Sequence, residues 1–293
     1  MGRIYQALNR AKKERVSGSV DMQPVEVGFS SQVTPRTAAQ QGPLDEVVSV
    51  AFTNRSNSHV AVHDPRHRSA AESFRLLRYR LEKLRERQPI SSILIASAIP
   101  EEGKTLVAVN LACALALTST RVLLIDADLR RPAAHSALGL PALPGLAEAL
   151  QNKIDVQAAY RRVDPLGFHL LSAGRVPVNP VELLQGAGMR LLLNDATSSF
   201  DWVIVDSPPL LPFADGHCLA SLCNAVLMVA REGTSKKEYI QEALTSLKTA
   251  NVIGTILNEA QSRKEDKYYS GYGQTSGAKS AMADVSKRVR QGA

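Results

Sequence analysis

The sequence predicts an α/β fold: a mostly parallel sheet flanked by helices, in one domain of moderate size. Two observations carry this. Aliphatic runs of strand length recur with no polar residue at alternate positions, as in "SSILIASA" (91–98), "RVLLIDAD" (121–128) and "DWVIVDSPP" (201–209). Between them lie segments of helical period. A strand that is apolar on both faces must be covered on both, and parallel sheets achieve this with helical crossovers. Ligands in such sheets sit beyond the carboxyl ends of the strands, where the loop at 98–105 falls.

The elements follow in order. Residues 1–15 read as a short basic amphipathic helix, with Ile4, Ala7, Leu8 and Ala11 on one face and Arg10, Lys12, Lys13 and Arg15 on others. It is too short to be stable alone, so it either frays or docks on a partner surface. Gln6 rules out the myristoylation pattern. Residues 16–68 are rich in Ser, Thr, Gln and Pro without periodicity and read as a flexible linker. The folded domain is expected over 69–260. It opens with a helix over 69–87 carrying Phe74, Leu77, Leu81 and Leu84 at helical spacing. The strand at 91–98 and a helix from Lys104 to about Leu117 follow. Further strands are expected at 121–128, 168–174, 201–209, 225–233 and 252–260, with helices over 145–151, 181–198 and 235–250. Residues 261–293 read as a flexible tail.

Composition narrows the function. The 293 residues carry a formal charge of +7 with a pI near 9.4. The excess lies before residue 90, in "RAKKER", "RHR" and "RYRLEKLRER". None is interleaved with stacking aromatics, so each reads as a solvated helix face, and no specific nucleic-acid partner is expected. Cys113, Cys218 and Cys223 have no metal-ligand spacing and read as thiols of a reducing cytoplasm. The longest apolar stretch, around residues 106–117, is broken by Asn110 and too short to span a bilayer. His63 and His67 have a chelating spacing that Pro65 between them breaks. Tyr79, Tyr160 and Tyr239 read as half-buried packing residues on helices.

The chemistry is concentrated in three segments. "SAIPEEGKT" (97–105) opens a helix after a strand, and its loop, Ala98, Ile99, Pro100, Glu101, Glu102, Gly103, Lys104 and Thr105, reads as a phosphate cradle. Backbone amides there curl around phosphates, the lysine reaches the β and γ positions, and the hydroxyl ligates Mg²⁺. The glycine usual at the head of such a loop is Ala98, and Glu101 occupies a position where small residues are usual. A φ above zero at Glu101 would cost roughly 1–2 kcal/mol. "LLIDADLRRP" ends a strand with Asp126 and Asp128, whose alternation points both along one side, and "VIVDSPP" ends another with Asp206. Carboxylates at strand ends beside a phosphate loop are what Mg²⁺ requires.

In this order the three segments resemble the Walker A, A′ and B motifs of the bacterial tyrosine kinases of capsule and exopolysaccharide synthesis, a MinD/ParA-like branch of the P-loop NTPases. The resemblance covers about residues 69–273. Asp126, Asp128 and Arg130 after three aliphatics are its most specific part, and "GRIYQALNRAKKER" is similar to the cytoplasmic, exosortase-associated type. It implies ATP-dependent phosphorylation of protein tyrosine with ATP and Mg²⁺. Lys104 would neutralise the β and γ phosphates and Thr105 would ligate Mg²⁺. Asp126 and Asp128 would hold the metal's water shell and orient or deprotonate the phenol, Asp206 would act through the metal, and Asn258 would contact adenine. Glu72, Arg75 and Arg78 match the family's oligomerisation signature, with like charges three apart calling for carboxylates from a neighbouring subunit. Tyr268, Tyr269 and Tyr272 resemble a shortened form of the tyrosine-rich tail that these enzymes autophosphorylate.

The implied partners are a membrane chain-length-determinant protein as activator, other copies in a ring, and a cognate tyrosine phosphatase. The implied location is the cytoplasmic face of the plasma membrane, reached through the activator. Two alternatives stand beside this reading: a partner-switching ATPase of the ParA/MinD type, and a kinase-inactive nucleotide-binding regulator of polysaccharide export. The first would carry a lysine five residues before Lys104, where this chain has Ile99, and a closing amphipathic membrane helix in place of "SKRVRQGA".

Overall fold

The computed structural model describes residues 47–52, 60–118, 120–141 and 144–260. The chain divides into two compact units, 1–41 and 42–293, and all described residues belong to the second. The expected helix over 1–15 and the tail tyrosines Tyr268, Tyr269 and Tyr272 lie outside the described residues.

Eight strands form one sheet in the order β1-β4-β5-β3-β6-β2-β7-β8. They are β1 (Ser49–Ala51), β2 (Ser92–Ser97), β3 (Val122–Asp126), β4 (Arg161–Asp164), β5 (Phe168–Leu171), β6 (Trp202–Asp206), β7 (Ala225–Arg231) and β8 (Val252–Asn258). Every pairing is parallel except that of β4 with β5. Every residue of β2, β3 and β6 is buried, which is why their sequences show no polar alternation. Their side chains still alternate between two cores. Ile93, Ile95, Leu124 and Ile204 face one, and Leu94, Leu123, Val203 and Val205 face the other. Each such aliphatic side chain contributes about 1.5–3 kcal/mol by leaving water.

Nine α-helices cover the sheet among the described residues: α1 (Arg68–Arg85), α2 (Lys104–Ala116), α3 (Ala134–Ala137), α4 (Leu146–Leu150), α5 (Val156–Ala159), α6 (Pro180–Gln185), α7 (Ala187–Ser199), α8 (Asp215–Leu222) and α9 (Lys237–Ser246). Helix α2 is apolar nearly all round and correspondingly buried, with Val107, Leu111 and Leu115 in the first core. Outside it lies the amphipathic α1, packed through Phe74, Leu77, Leu81 and Leu84 as the spacing predicts. The second core is closed by α4 and α7 through Leu146, Met189, Leu192 and Leu193.

The structure departs from the sequence reading in several places. Folded structure begins before residue 69: β1 pairs with β4, and 3-10 turns span Ala61–His63 and Pro65–His67. Val60 and Val62 are core residues. A three-residue strand and two single turns are too short to show a period, so the expected linker reaches too far. The helix expected over 181–198 is two helices meeting at Gly186, whose backbone is extended (φ −63°, ψ 158°). Tyr160 is buried but lies just past α5, packed edge-on against Phe200, and Tyr79 is 55% exposed rather than half-buried. All three cysteines are free, with Cys113 buried.

The carboxylates that Arg75 and Arg78 call for come from their own helix. Arg75 pairs with Glu72, and Arg78 lies 3.6 Å from Glu82 while donating to the Ala114 carbonyl at 3.1 Å. The repulsion expected to demand a neighbouring subunit is thus relieved within the chain.

Buried Asn110, on α2, anchors the segment before α1. Its Oδ1 accepts from the Ala61 amide at 2.7 Å, and its Nδ2 donates to the Leu106 carbonyl at 2.9 Å. Asn110→Ala leaves the Ala61 amide buried without its acceptor, so a loss of about 1–3 kcal/mol is expected in urea denaturation. An unchanged midpoint would show that residues 60–67 do not belong to the cooperative unit.

Candidate functional site

The topology assembles the site. Strands β3, β6 and β2 are neighbours, with Asp126 in register with Asp206 and Asp206 in register with Ile95. The phosphate loop following β2 therefore emerges beside both aspartates. At the start of α2 the first-turn amides have no intrahelical acceptors, which makes that end a site for anions.

The loop has the backbone such a cradle requires. Glu101 sits at φ 64° and Gly103 at φ 90°. The first is the strained conformation anticipated for Glu101, costing roughly 1–2 kcal/mol. The Arg231 guanidinium, at the end of β7, donates to the Glu101 carbonyl at 3.3 Å and pairs with Glu259. Gly103 allows a close approach: a Cβ there would stand 2.0 Å from Nδ2 of Asn258. That amide donates to the Glu102 carbonyl at 3.1 Å, so Asn258, expected at adenine, holds the loop here.

Glu102 is wholly buried beneath the loop. Its carboxylate accepts from the Ile99 amide at 3.0 Å and from the Ser235 hydroxyl, which itself accepts from the Arg231 amide at 2.7 Å. The motif marks Glu102 only as a loop position; its role as a brace depends on Ser235, 133 residues away, which no local pattern links to it.

Lys104 is buried with its charge close enough to lower both Asp128 and Asp206. Thr105 donates its hydroxyl to Oδ2 of Asp206 at 2.5 Å. Oδ1 of Asp206 is buried and has no hydrogen-bond partner among the described residues. Desolvation is the main cause raising the Asp206 pKa, to about 7. Asp126 is raised too, first by burial and then by the charge of Asp206. An unpartnered carboxylate oxygen beside a threonine hydroxyl, under an anion cradle, is a donor set that fits Mg²⁺ carried on phosphates.

The two aspartates of the second motif do not share one side of a strand end. Strand β3 stops at Asp126, whose Oδ1 accepts from the Asp128 amide at 3.2 Å. Its Oδ2 accepts from the amides of Ala133 (3.1 Å) and Ala134 (3.0 Å), at the start of α3. Asp126 is thereby tied up in shaping the turn. Asp128, held by the amides of Arg130 and Arg131, lines a cleft of about 540 Å³ with Lys104, Thr105, Arg130, Pro209 and Phe213. Burial raises its pKa as well. Sequence reasoning did not find Phe213, which reaches this cleft from the β6–α8 connection, or Asp215, buried at the start of α8; neither carries a motif. His63 and His67 are not part of a metal cluster, and none of three or more His, Cys, Asp or Glu residues occurs among the described residues.

Residues 93–285 match the family described as the CobQ/CobB/MinD/ParA nucleotide binding domain. Tyrosine-protein kinase YwqD of Bacillus subtilis is 33% identical over 211 residues, 71% of this chain and 89% of that protein. Tyrosine-protein kinase etk of Escherichia coli K12 is 35% identical over 202 residues, which are 68% of this chain and 28% of that longer protein. The solved kinase domain of the Escherichia coli enzyme superposes with a TM-score of 0.68 at 34% identity, covering 72% of this chain and 84% of that one. The septum site-determining protein MinD of Pyrococcus horikoshii, complexed with Mg-ADP, has a TM-score of 0.52 at 20% identity over 60% of this chain and 72% of its own, a likeness of fold alone.

The raised Asp206 value has a consequence for stability. A carboxyl ordinarily at 3.8 that is raised to about 7 in the fold binds its proton more tightly there than in the unfolded chain. Its contribution is fully present below the ordinary value and is lost as pH rises through the folded one. Asp206→Asn cannot ionise. In metal-free buffer its Tm advantage over the wild type should therefore grow from about pH 4 to about pH 7 and then level off. A pH-independent difference in thermal melts would remove the buried-charge account.

Proposed function

We propose, since the chain belongs to the bacterial tyrosine kinases, that it transfers the terminal phosphate of Mg-ATP to protein tyrosine, its own included. Its setting is the control of exopolysaccharide or capsule polymerisation and export. The observation that carries this reading is the meeting, on three adjacent strand ends, of Lys104 and Thr105 with the unpartnered oxygen of Asp206 and with Asp128 in the cleft.

Each residue has a role that follows from its place. The amides at the start of α2 receive the phosphates, and Lys104 neutralises their charge. Thr105 and Asp206 hold the metal; when bound, Mg²⁺ offsets charge on the β and γ oxygens. Asp128 faces the cleft and takes the proton of the acceptor phenol, to which its raised pKa suits it. As the phenolic oxygen bonds to the γ-phosphorus, the bond to the β–γ bridging oxygen breaks and ADP leaves. Asp126 acts by fixing the turn that carries Asp128 rather than by ligation, and Asn258 by holding the loop at Glu102.

Tyr268, Tyr269 and Tyr272 are the proposed acceptors, presented to the cleft of another copy. Assembly into a ring would draw on Glu72 and Arg75, which among the described residues pair with each other and can exchange partners between copies. Arg78 is tied to α2 and serves packing first. Among the described residues no helix is long and apolar enough to cross a membrane. Recruitment to the inner face of the plasma membrane is accordingly assigned to a chain-length-determinant protein acting as activator. A cognate phosphatase would reset the tail.

Incubation with Mg-ATP followed by anti-phosphotyrosine detection and phosphopeptide mapping tests the reading. The wild type should label on residues 268–272. Lys104→Ala should lower labelling by at least about 10²-fold while leaving the thermal melt in place. Unlabelled wild type that still hydrolyses ATP would favour the partner-switching alternative, and labelling chiefly on Tyr79, Tyr160 or Tyr239 would move the acceptor site.

A further inference from the structure

Arg130 stands two residues beyond Asp128, and its guanidinium is held on two sides. Nε lies 3.2 and 3.1 Å from the two carboxylate oxygens of Asp215, and Nη2 lies 3.0 Å from Oδ2. Asp215, the first residue of α8, is wholly buried. The guanidinium carbon also sits 4.2 Å from the centre of the Phe213 ring. This side-on pairing engages Nε and Nη2 and leaves Nη1 with no partner among the described residues. Arg130 and Phe213 line the same cleft as Lys104, Thr105 and Asp128, and a third of the Arg130 side chain stays open to solvent.

From this geometry we infer that Arg130 donates through Nη1 to the phosphoryl group as it transfers, with Asp215 and Phe213 as positioning residues that hold the guanidinium ready. The inference rests on the cleft being the Mg-ATP site. In phosphoryl transfer the charge spreads over three equatorial oxygens while the bond to the leaving oxygen lengthens and that to the arriving oxygen is only partly formed, and Lys104 alone cannot face all three. A planar guanidinium supplies donors in fixed directions. Nε and Nη2 are already engaged, so Nη1 needs no reordering when the charge develops, and preorganised donors of this kind act chiefly on the transition state. A purely structural ion pair between the Asp128 turn and α8 would instead affect stability and leave transition-state binding unchanged.

The two are separated by titrating the full chain with Mg-ADP, alone and with aluminium fluoride, whose planar complex mimics the group in flight. The wild type should bind Mg-ADP more tightly when fluoride is added. Arg130→Lys and Asp215→Asn should bind Mg-ADP within about twofold of the wild type yet lose about 10²-fold of the fluoride gain. The double variant should lose no more than either single one, since the two act as a unit. Phe213→Leu should lose part of the gain. Should Asp215→Asn fail to fold, Arg130→Lys decides alone, because its side chain is partly exposed and its replacement leaves no unpaired cation. Retention of the full gain in Arg130→Lys, or absence of any gain in the wild type, overturns the inference while leaving the kinase reading intact. Failure of the wild type to bind Mg-ADP at all overturns the reading of the cleft instead.

Discussion

Two carboxyl groups in register on adjacent buried strands, Asp126 and Asp206, set the terms for the rest of the structure. Neither reaches bulk water; burial opposes ionisation of both, joined at Asp126 by the charge of Asp206 and at Asp206 by that of Asp128. The surroundings answer the two differently. Three backbone amides engage Asp126 and turn its charge to shaping the chain, whereas Asp206 receives the Thr105 hydroxyl, with the Ser207 amide also easing its charge, and keeps Oδ1 without a partner among the described residues. A fold that places like charges this close, with one of them incompletely satisfied, is poised for a cation. The lysine that opens α2 supplies part of the compensation, and the neighbouring loop has the backbone of an anion cradle.

That loop is held in shape from outside its own sequence. Glu102 below, Asn258 and Arg231 beside it, and Ser235 beyond them connect it to the ends of β7 and β8. Glu101 keeps its left-handed backbone without the freedom of glycine, and the hydrogen bond from Arg231 to its carbonyl stabilises that conformation. Restraint of this kind lowers the ordering cost when an anion arrives, because the amides are already placed.

How much of this was legible in the sequence depends on the range of the interactions. The long buried strands announce themselves as unbroken aliphatic runs, and the loop, Asp128 and Asp206 lie at the ends of such runs. Packing positions on α1 are read from spacing alone, since Phe74, Leu77, Leu81 and Leu84 need only helical period to share a face. Elements of three to five residues, such as β1, β4, α3 and α5, are shorter than the period that would reveal them. Contacts between distant segments leave no local signal either. Asp215 under Arg130, Ser235 under Glu102 and the Ala114 carbonyl at Arg78 become visible only when the sheet brings them together. The charge argument at Arg75 and Arg78 left out Glu82, which lies one turn further on and pairs with Arg78.

Because β8 is parallel to β7 and ends at Asn258, against the phosphate loop, the chain leaves the sheet at the mouth of the cleft. Tyr268 follows ten residues later, a span of about 33–36 Å when fully extended. The sheet topology thus fixes the point of departure, and covalent reach alone bounds how far Tyr268 can lie from it.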